Sequence, residues 1–193
     1  MLTNKMRIPR TKFAIGILSS ILGIALLSAC STAPRTVDDR SDLRRDADSA
    51  LTQARSNNAS FDSIIRRAPG YAVFPTVGKG GAIVGGAYGR GILYSNGTQI
   101  GYTDLTQASI GAQLGGQTYT QILVFESAYA LDRFRQGNYE FSAQATAVAL
   151  RSGEGANARF EDGVAVFTMA ESGLMAEAAV GGQKFSYQAF AAR

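Results

Sequence analysis

The chain holds one cysteine, Cys30, and no histidine among its 193 residues. That inventory leaves the Cys30 thiol as the strongest nucleophile and removes Ser-His pairs, Cys-His pairs and every histidine-bearing metal site. Acid-base chemistry by two carboxylates is still open. Its candidates are Asp104, Glu126, Glu140, Glu161, Asp162, Glu171 and Glu177, and nothing in their spacing selects a pair. Glu161 and Asp162 adjoin, but Gly163 follows them, which is the composition of a turn. Phosphate cradling is the remaining option, because "FPTVGKGGAIVGGAYGRGILYSNG", residues 74–97, is rich in glycine. Lys79 is followed by Gly80 rather than Ser or Thr, and Ile83 stands where a G-x-G-x-x-G register needs its third glycine, so no nucleotide loop is expected. Gly81, Gly85 and Gly89 make G-x-x-x-G steps, yet each interior glycine costs a helix about 1 kcal/mol and no long apolar run surrounds them. Neither catalysis nor a metal, nucleotide or other cofactor is expected.

The surroundings of Cys30 give its thiol a different task. Lys5, Arg7, Arg10 and Lys12 precede an uncharged apolar run from Phe13 to Leu27, and "LSAC" follows, Leu27 to Cys30. Basic residues, a short apolar run and small residues in that order describe a secretory signal. As a span the run falls short of the roughly 20 residues a bilayer core needs. "LSAC" resembles the bacterial lipoprotein signal, in which the cysteine takes a diacylglyceryl group and, after cleavage, becomes an acylated N-terminus. The resemblance implies a signal peptide over residues 1–29 and lipid attachment at Cys30. Ser31, in place of aspartate, resembles the signal for sorting to the outer membrane, with the domain expected to face the periplasm. A sole cysteine makes no intrachain disulfide.

Residues 1–29 carry four of the 19 Lys+Arg and none of the 15 Asp+Glu, which leaves residues 30–193 balanced. Without a basic excess there is no footprint for nucleic acid. Residues 30–37 read as a short polar tether, at most about 30 Å long when extended, that keeps the following domain close to the membrane. Residues 38–193 suffice for one domain with its own core.

Leu43, Ala47, Ala50, Leu51 and Ala54 recur at helical spacing from Asp38 to about Asn57, with Asp38, Asp39 and Asp42 at the start where the helix dipole favours anions. A second helix is expected with Ser60 as its cap, Phe61, Ile64, Ile65 and Ala68 on one side, Arg66 and Arg67 on the other, and Pro69-Gly70 as its stop. After Gly70 the pattern becomes that of strands. "YAVFPTV" is β-rich, and Asn96-Gly97 between apolar runs is a strong hairpin signal. Residues 117–126 read as a buried strand, 127–136 as a helix stopped by Gly137, 139–150, 164–170 and 173–180 as further strands, and 151–158 as a loop. The expected class is α+β: N-terminal helices packed on a strongly curved, mostly antiparallel, glycine-rich sheet or partly closed barrel.

Read as a strand, residues 82–94 put Ala82, Val84, Gly86, Tyr88, Arg90, Ile92 and Tyr94 on one face and Gly85, Ala87, Gly89 and Gly91 on the other. Ala143, Ala145, Ala147 and Ala149 repeat this small face. Such faces suit close packing of another element or, alternatively, an apolar slot for an acyl chain. "IVGGAYG", "QLGGQTY" and "AVGGQKF" form a weak internal repeat that marks strand bends.

"YAVFPTVGKGGAIVGGAYGRGILY", "SIGAQLGGQTYTQILVFESAYALDRFRQG" and "FTMAESGLMAEAAVGG" together resemble the SYLF domain, found in bacterial lipoproteins and in eukaryotic lipid-binding and actin-associated proteins. The resemblance spans roughly residues 38–187. Glu177, where glycine is usual, and Gln99, where eukaryotic members tend to have tryptophan, depart from it. It implies phospholipid binding, with an N-terminal helical segment contributing to membrane contact. Arg66 and Arg67 match that region, Lys79 lies in the signature block and Arg90 lies nearby; these four are the headgroup candidates. Actin is not an expected partner of a secreted bacterial lipoprotein in its own cell. The alternative reading is a non-catalytic scaffold for envelope proteins.

Overall fold

A computed structural model of the protein describes residues 32–81, 84–110, 115–137, 139–141, 148–150, 158–170 and 182–191. Helix α1, Val37–Asn57, begins one residue before the expected start, because the Thr36 side chain accepts from the Asp39 amide at 3.0 Å. Ala47, Ala50, Leu51 and Ala54 are its buried face, as their spacing predicts. Helix α2, Ala59–Arg67, is capped by Asn58 rather than by Ser60. Asn58 is extended, and its side chain accepts from the Phe61 amide at 2.9 Å, so one residue both ends α1 and starts α2. Helix α3, Ala128–Arg135, lies inside the expected 127–136 and is capped by Ser127.

Eight strands follow: β1 Gly70–Gly81, β2 Val84–Ser95, β3 Thr98–Ile110, β4 Gly115–Phe125, β5 Tyr139–Phe141, β6 Val148–Ala149, β7 Val164–Ala170 and β8 Gln183–Ala189. They form one sheet in the order β5-β8-β3-β2-β1-β4-β7-β6, antiparallel except for the β6/β7 pair. The β2–β3 turn uses Asn96 at φ 47° and Gly97 at φ 78°, the left-handed pair that an Asn-Gly hairpin supplies. Residues 82–83, 142–147, 151–157 and 171–181 lie outside the described residues, and with them the strand expected over 173–180 and most of the alanine alternation.

The sheet is tightly curled. Phe74 of β1 and Phe185 of β8 have ring centroids 5.8 Å apart although β2 and β3 stand between them. Three strand spacings in a flat sheet amount to about 14 Å. The concave side holds Ala72, Phe74, Val77, Leu93, Leu105, Leu123, Phe125, Val166 and Phe185, and α3 closes the end near Gly70 with Leu131 and Phe134. The convex side packs Tyr71, Val73, Ile92, Tyr94, Ile122, Val124 and Phe167 under α1 and α2, with Phe61 edge-on to Phe167 at 5.0 Å.

The bare face of β2 is concave and filled. A Cβ on Gly91 would lie 2.5 Å from the Val73 carbonyl oxygen and 2.7 Å from the Phe74 ring, and one on Gly89 would lie 2.8 Å from Val77 Cγ2. Close packing of neighbouring groups is what these glycines permit. A bulge between Val73 and Thr76 shifts the register of β1, so Phe74 and Val77, three residues apart, both face inward.

Candidate functional site

Strand pairing brings together at one end of the curled sheet the glycine-bearing termini of β1, β2 and β4 and the end of β3. Gly81 stands opposite Gly85 and Gly115, Val84 opposite Ile110, and Gln107 opposite Gln183. Directly paired residues share a face. One inward row therefore crosses five strands as Gln117, Lys79, Ala87, Gln107 and Gln183.

Lys79 is buried at 9% relative exposure, two residues beyond inward-facing Val77. No ion pair joins it to a carboxylate among the described residues. Gln107 and Gln183 of the same row form a buried amide group with Gln121. Gln121 Nε2 donates to Gln183 Oε1 at 2.8 Å, and Gln183 Nε2 donates to Gln107 Oε1 at 3.0 Å and Gln121 Oε1 at 3.2 Å. Tyr119, in the next inward row opposite Val77, is buried, and burial pushes its hydroxyl up to about 12. The site is thus a polar layer over an apolar core, with one cation at its rim and exposed Gln117 next to it.

The outward side of the same end carries Arg90. Its Nε donates to Tyr88 Oη at 2.9 Å, and across the rung it faces Asp104. Burial raises the Asp104 carboxyl above its ordinary range, against the lowering effect of a hydrogen bond from Thr32, the charge of Arg90 and a hydrogen bond from Ser186. Thr32 belongs to the segment expected as a free tether. Instead Thr32, Ala33 and Pro34 are buried against the sheet. Thr32 Oγ1 lies 3.1 Å from Ser186 Oγ, the Ala33 amide donates to Gln188 Oε1 at 3.1 Å, and Arg40 Nε donates to the Pro34 carbonyl at 2.8 Å.

The four headgroup candidates do not converge. Lys79 and Arg90 share the glycine-rich end but face opposite sides of the sheet, because the β1 bulge turns Lys79 inward. Arg66 and Arg67 end α2, which leads through Pro69 into Gly70, nine residues from Lys79 and so about 30 Å along the strand. There Arg66 pairs with Asp62 at 2.7 Å, Arg55 pairs with the same carboxylate at 2.6 Å, and Arg67 donates to Ser63 at 2.6 Å. The two arginines, Arg55 first, hold the Asp62 carboxyl below its ordinary range. Of the carboxylates, Glu161 and Asp162 lie in a tight turn closed by reciprocal Glu161–Val164 backbone hydrogen bonds. Among the described residues no group of three acidic, cysteine or histidine side chains could hold a metal ion, and no helix is long and apolar enough to cross a membrane.

Residues 106–191 match the family model described as Ysc84, Las17-binding protein actin regulator. The match runs from within β3 to just beyond β8 and begins after the glycine block of residues 74–97. Beta cell expansion factor A of Aeromonas veronii is 27% identical over 140 residues, which is 72% of this chain and 53% of that protein. The chain therefore spans about half the length of this curated relative.

Proposed function

We propose, from the match of residues 106–191 to the Ysc84 (SYLF) family model, that this chain is a bacterial envelope lipoprotein of that family, acylated at Cys30, whose domain binds phospholipid without catalysis. The observation that carries the reading is the burial of Lys79 in an inward polar row with no carboxylate paired to it among the described residues. A lysine whose stem is buried and whose ammonium sits at the rim without a carboxylate partner can meet an anionic phosphate through charge-assisted hydrogen bonds. Gln117, exposed beside Lys79, offers an amide donor to the same phosphate. The amide trio is already hydrogen-bonded to itself and forms the floor beneath the headgroup.

The acyl group on Cys30 supplies attachment, and the headgroup site supplies selectivity between lipids. Localisation at the outer membrane, facing the periplasm, is part of the same reading and rests on the sorting signal around Ser31. The actin regulation in the family's description is not carried over, since an exported chain meets no actin in its own cell; protein partners in this setting are envelope proteins.

Sedimentation with vesicles tests the reading. Protein made without residues 1–30 should pellet with vesicles rich in phosphatidylglycerol more than with neutral ones, and the difference should shrink as salt rises. Absence from every vesicle pellet would favour the scaffold reading instead.

A further inference from the structure

Among the described residues, the convex face of the sheet is covered only over its half nearest Gly70, where α1 and α2 bury Tyr71, Ile92 and Tyr94. Toward Gly81 it is bare. Gly78, Gly80, Thr106, Ala108 and Thr118 are exposed there, and pairing places them around Tyr88. Tyr88 is 48% exposed, the one large apolar side chain standing out from a strand among the described residues. Arg90, two residues on, holds its hydroxyl at 2.9 Å and sets its guanidinium 6.0 Å from the ring centroid. A tyrosine with its hydroxyl bound to an arginine suits the headgroup layer of a bilayer, where the ring meets acyl carbons and the cation meets phosphates.

The docked segment says which surface meets this face. Thr32 is tied to Ser186, and Ser186, Asp104 and Arg90 are successive members of one outward rung across β8, β3 and β2. Cys30 lies two residues before Thr32, a reach of at most about 7 Å, and two strand spacings add about 10 Å, so an acyl group on Cys30 starts within roughly 20 Å of Arg90.

We infer that the bare convex half is a membrane-contact surface, with Tyr88 at headgroup level, Arg90 on lipid phosphates, and the docked Thr32–Pro34 segment keeping the face within reach of the bilayer that holds Cys30. This rests on the reading of Cys30 as acylated. The surface is a second lipid contact, on the opposite side of the sheet from Lys79.

The chain has no tryptophan, so Tyr88→Trp and Tyr129→Trp each create a single fluorophore. Tyr129 is 74% exposed on α3, which closes the opposite end of the curl. The full acylated proteins are reconstituted in phosphatidylglycerol and phosphatidylcholine vesicles with brominated acyl chains. Quenching of Tyr88→Trp at least twofold greater than that of Tyr129→Trp is expected, and adding Ser186→Ala with Gln188→Ala should reduce the difference. Equal quenching, greater quenching of Tyr129→Trp, or no quenching of either on vesicle-bound, acylated protein overturns the surface and leaves the anchor standing. A mass at Cys30 without acyl groups overturns both.

Discussion

Gln121 of β4 donates a 2.8 Å hydrogen bond to Gln183 of β8, across a sheet in which three strands separate β4 from β8. Laid flat, the two strands would be about 19 Å apart. The bond therefore depends on the curl, and the amide group that Gln107 completes holds the curl at the glycine-rich end. Gln183→Ala should lower stability by about 1–3 kcal/mol, because it leaves buried amide groups of its partners unpaired. An unchanged denaturation midpoint would show that the curl is set elsewhere.

Gly91 tests the filled face of β2. Gly91→Val should cost about 1–3 kcal/mol or more, since the new side chain meets the Val73 carbonyl and the Phe74 ring, and backbone cannot move aside as a flexible side chain does. Urea denaturation reads this directly. Full stability in the valine variant would mean that the space is open, as an acyl slot requires.

Two aspartates should titrate with opposite sign. Burial raises the Asp104 carboxyl above its ordinary 3.8, so the native state keeps that proton longer than the unfolded chain, and stability falls as pH rises through the window above 3.8. Arg55 and then Arg66 lower Asp62, so its contribution is present above 3.8 and is lost as pH falls below it. Relative to wild type, Asp104→Asn should gain in thermal midpoint near pH 7 and Asp62→Asn should lose. Both differences should narrow as pH falls below 3.8, the Asp62 difference last, because its native carboxyl titrates below that value. Differences of one sign, or independent of pH, contradict the assignment.

Much of this fold was legible because its signals are local. The apolar spacing in α1, the stop at Pro69-Gly70 and the Asn96-Gly97 turn depend on neighbours in sequence. Strand β8 was not expected, although Phe185 and Tyr187 alternate with Lys184, Ser186 and Gln188. Gln183 puts an amide at an inward position and so breaks the apolar reading of that face. The direction of Lys79 was hidden for another reason. Counted in twos from Phe74 it points outward, and only the bulge at Pro75-Thr76 reverses it; a proline within a strand was the available hint. The amide trio and the docking of Thr32 on Ser186 join residues that are 62 to 154 apart in sequence, beyond the reach of any periodicity.

Lys79 should be a burden on the empty protein. Lys79→Met keeps most of the buried side-chain volume and removes the charge, so the unliganded variant should be as stable as wild type or more so. A clear loss of thermal stability would indicate that Lys79 is held by a structural partner and is unavailable to a headgroup.

The most direct measurement is the thermal midpoint of the protein lacking residues 1–30, titrated with a short-chain phosphatidylglycerol kept below its micelle concentration. Monomeric lipid removes the vesicle surface from the problem and leaves the site. Ligand binding to the native state stabilises by RT ln(1 + [L]/Kd), about 2.7 kcal/mol at a hundredfold excess over Kd. The midpoint should rise with lipid in the wild type, rise less with the matching phosphatidylcholine, and stay flat for Lys79→Met. An equal rise in wild type and Lys79→Met, or no rise in either, would contradict a phospholipid site at Lys79.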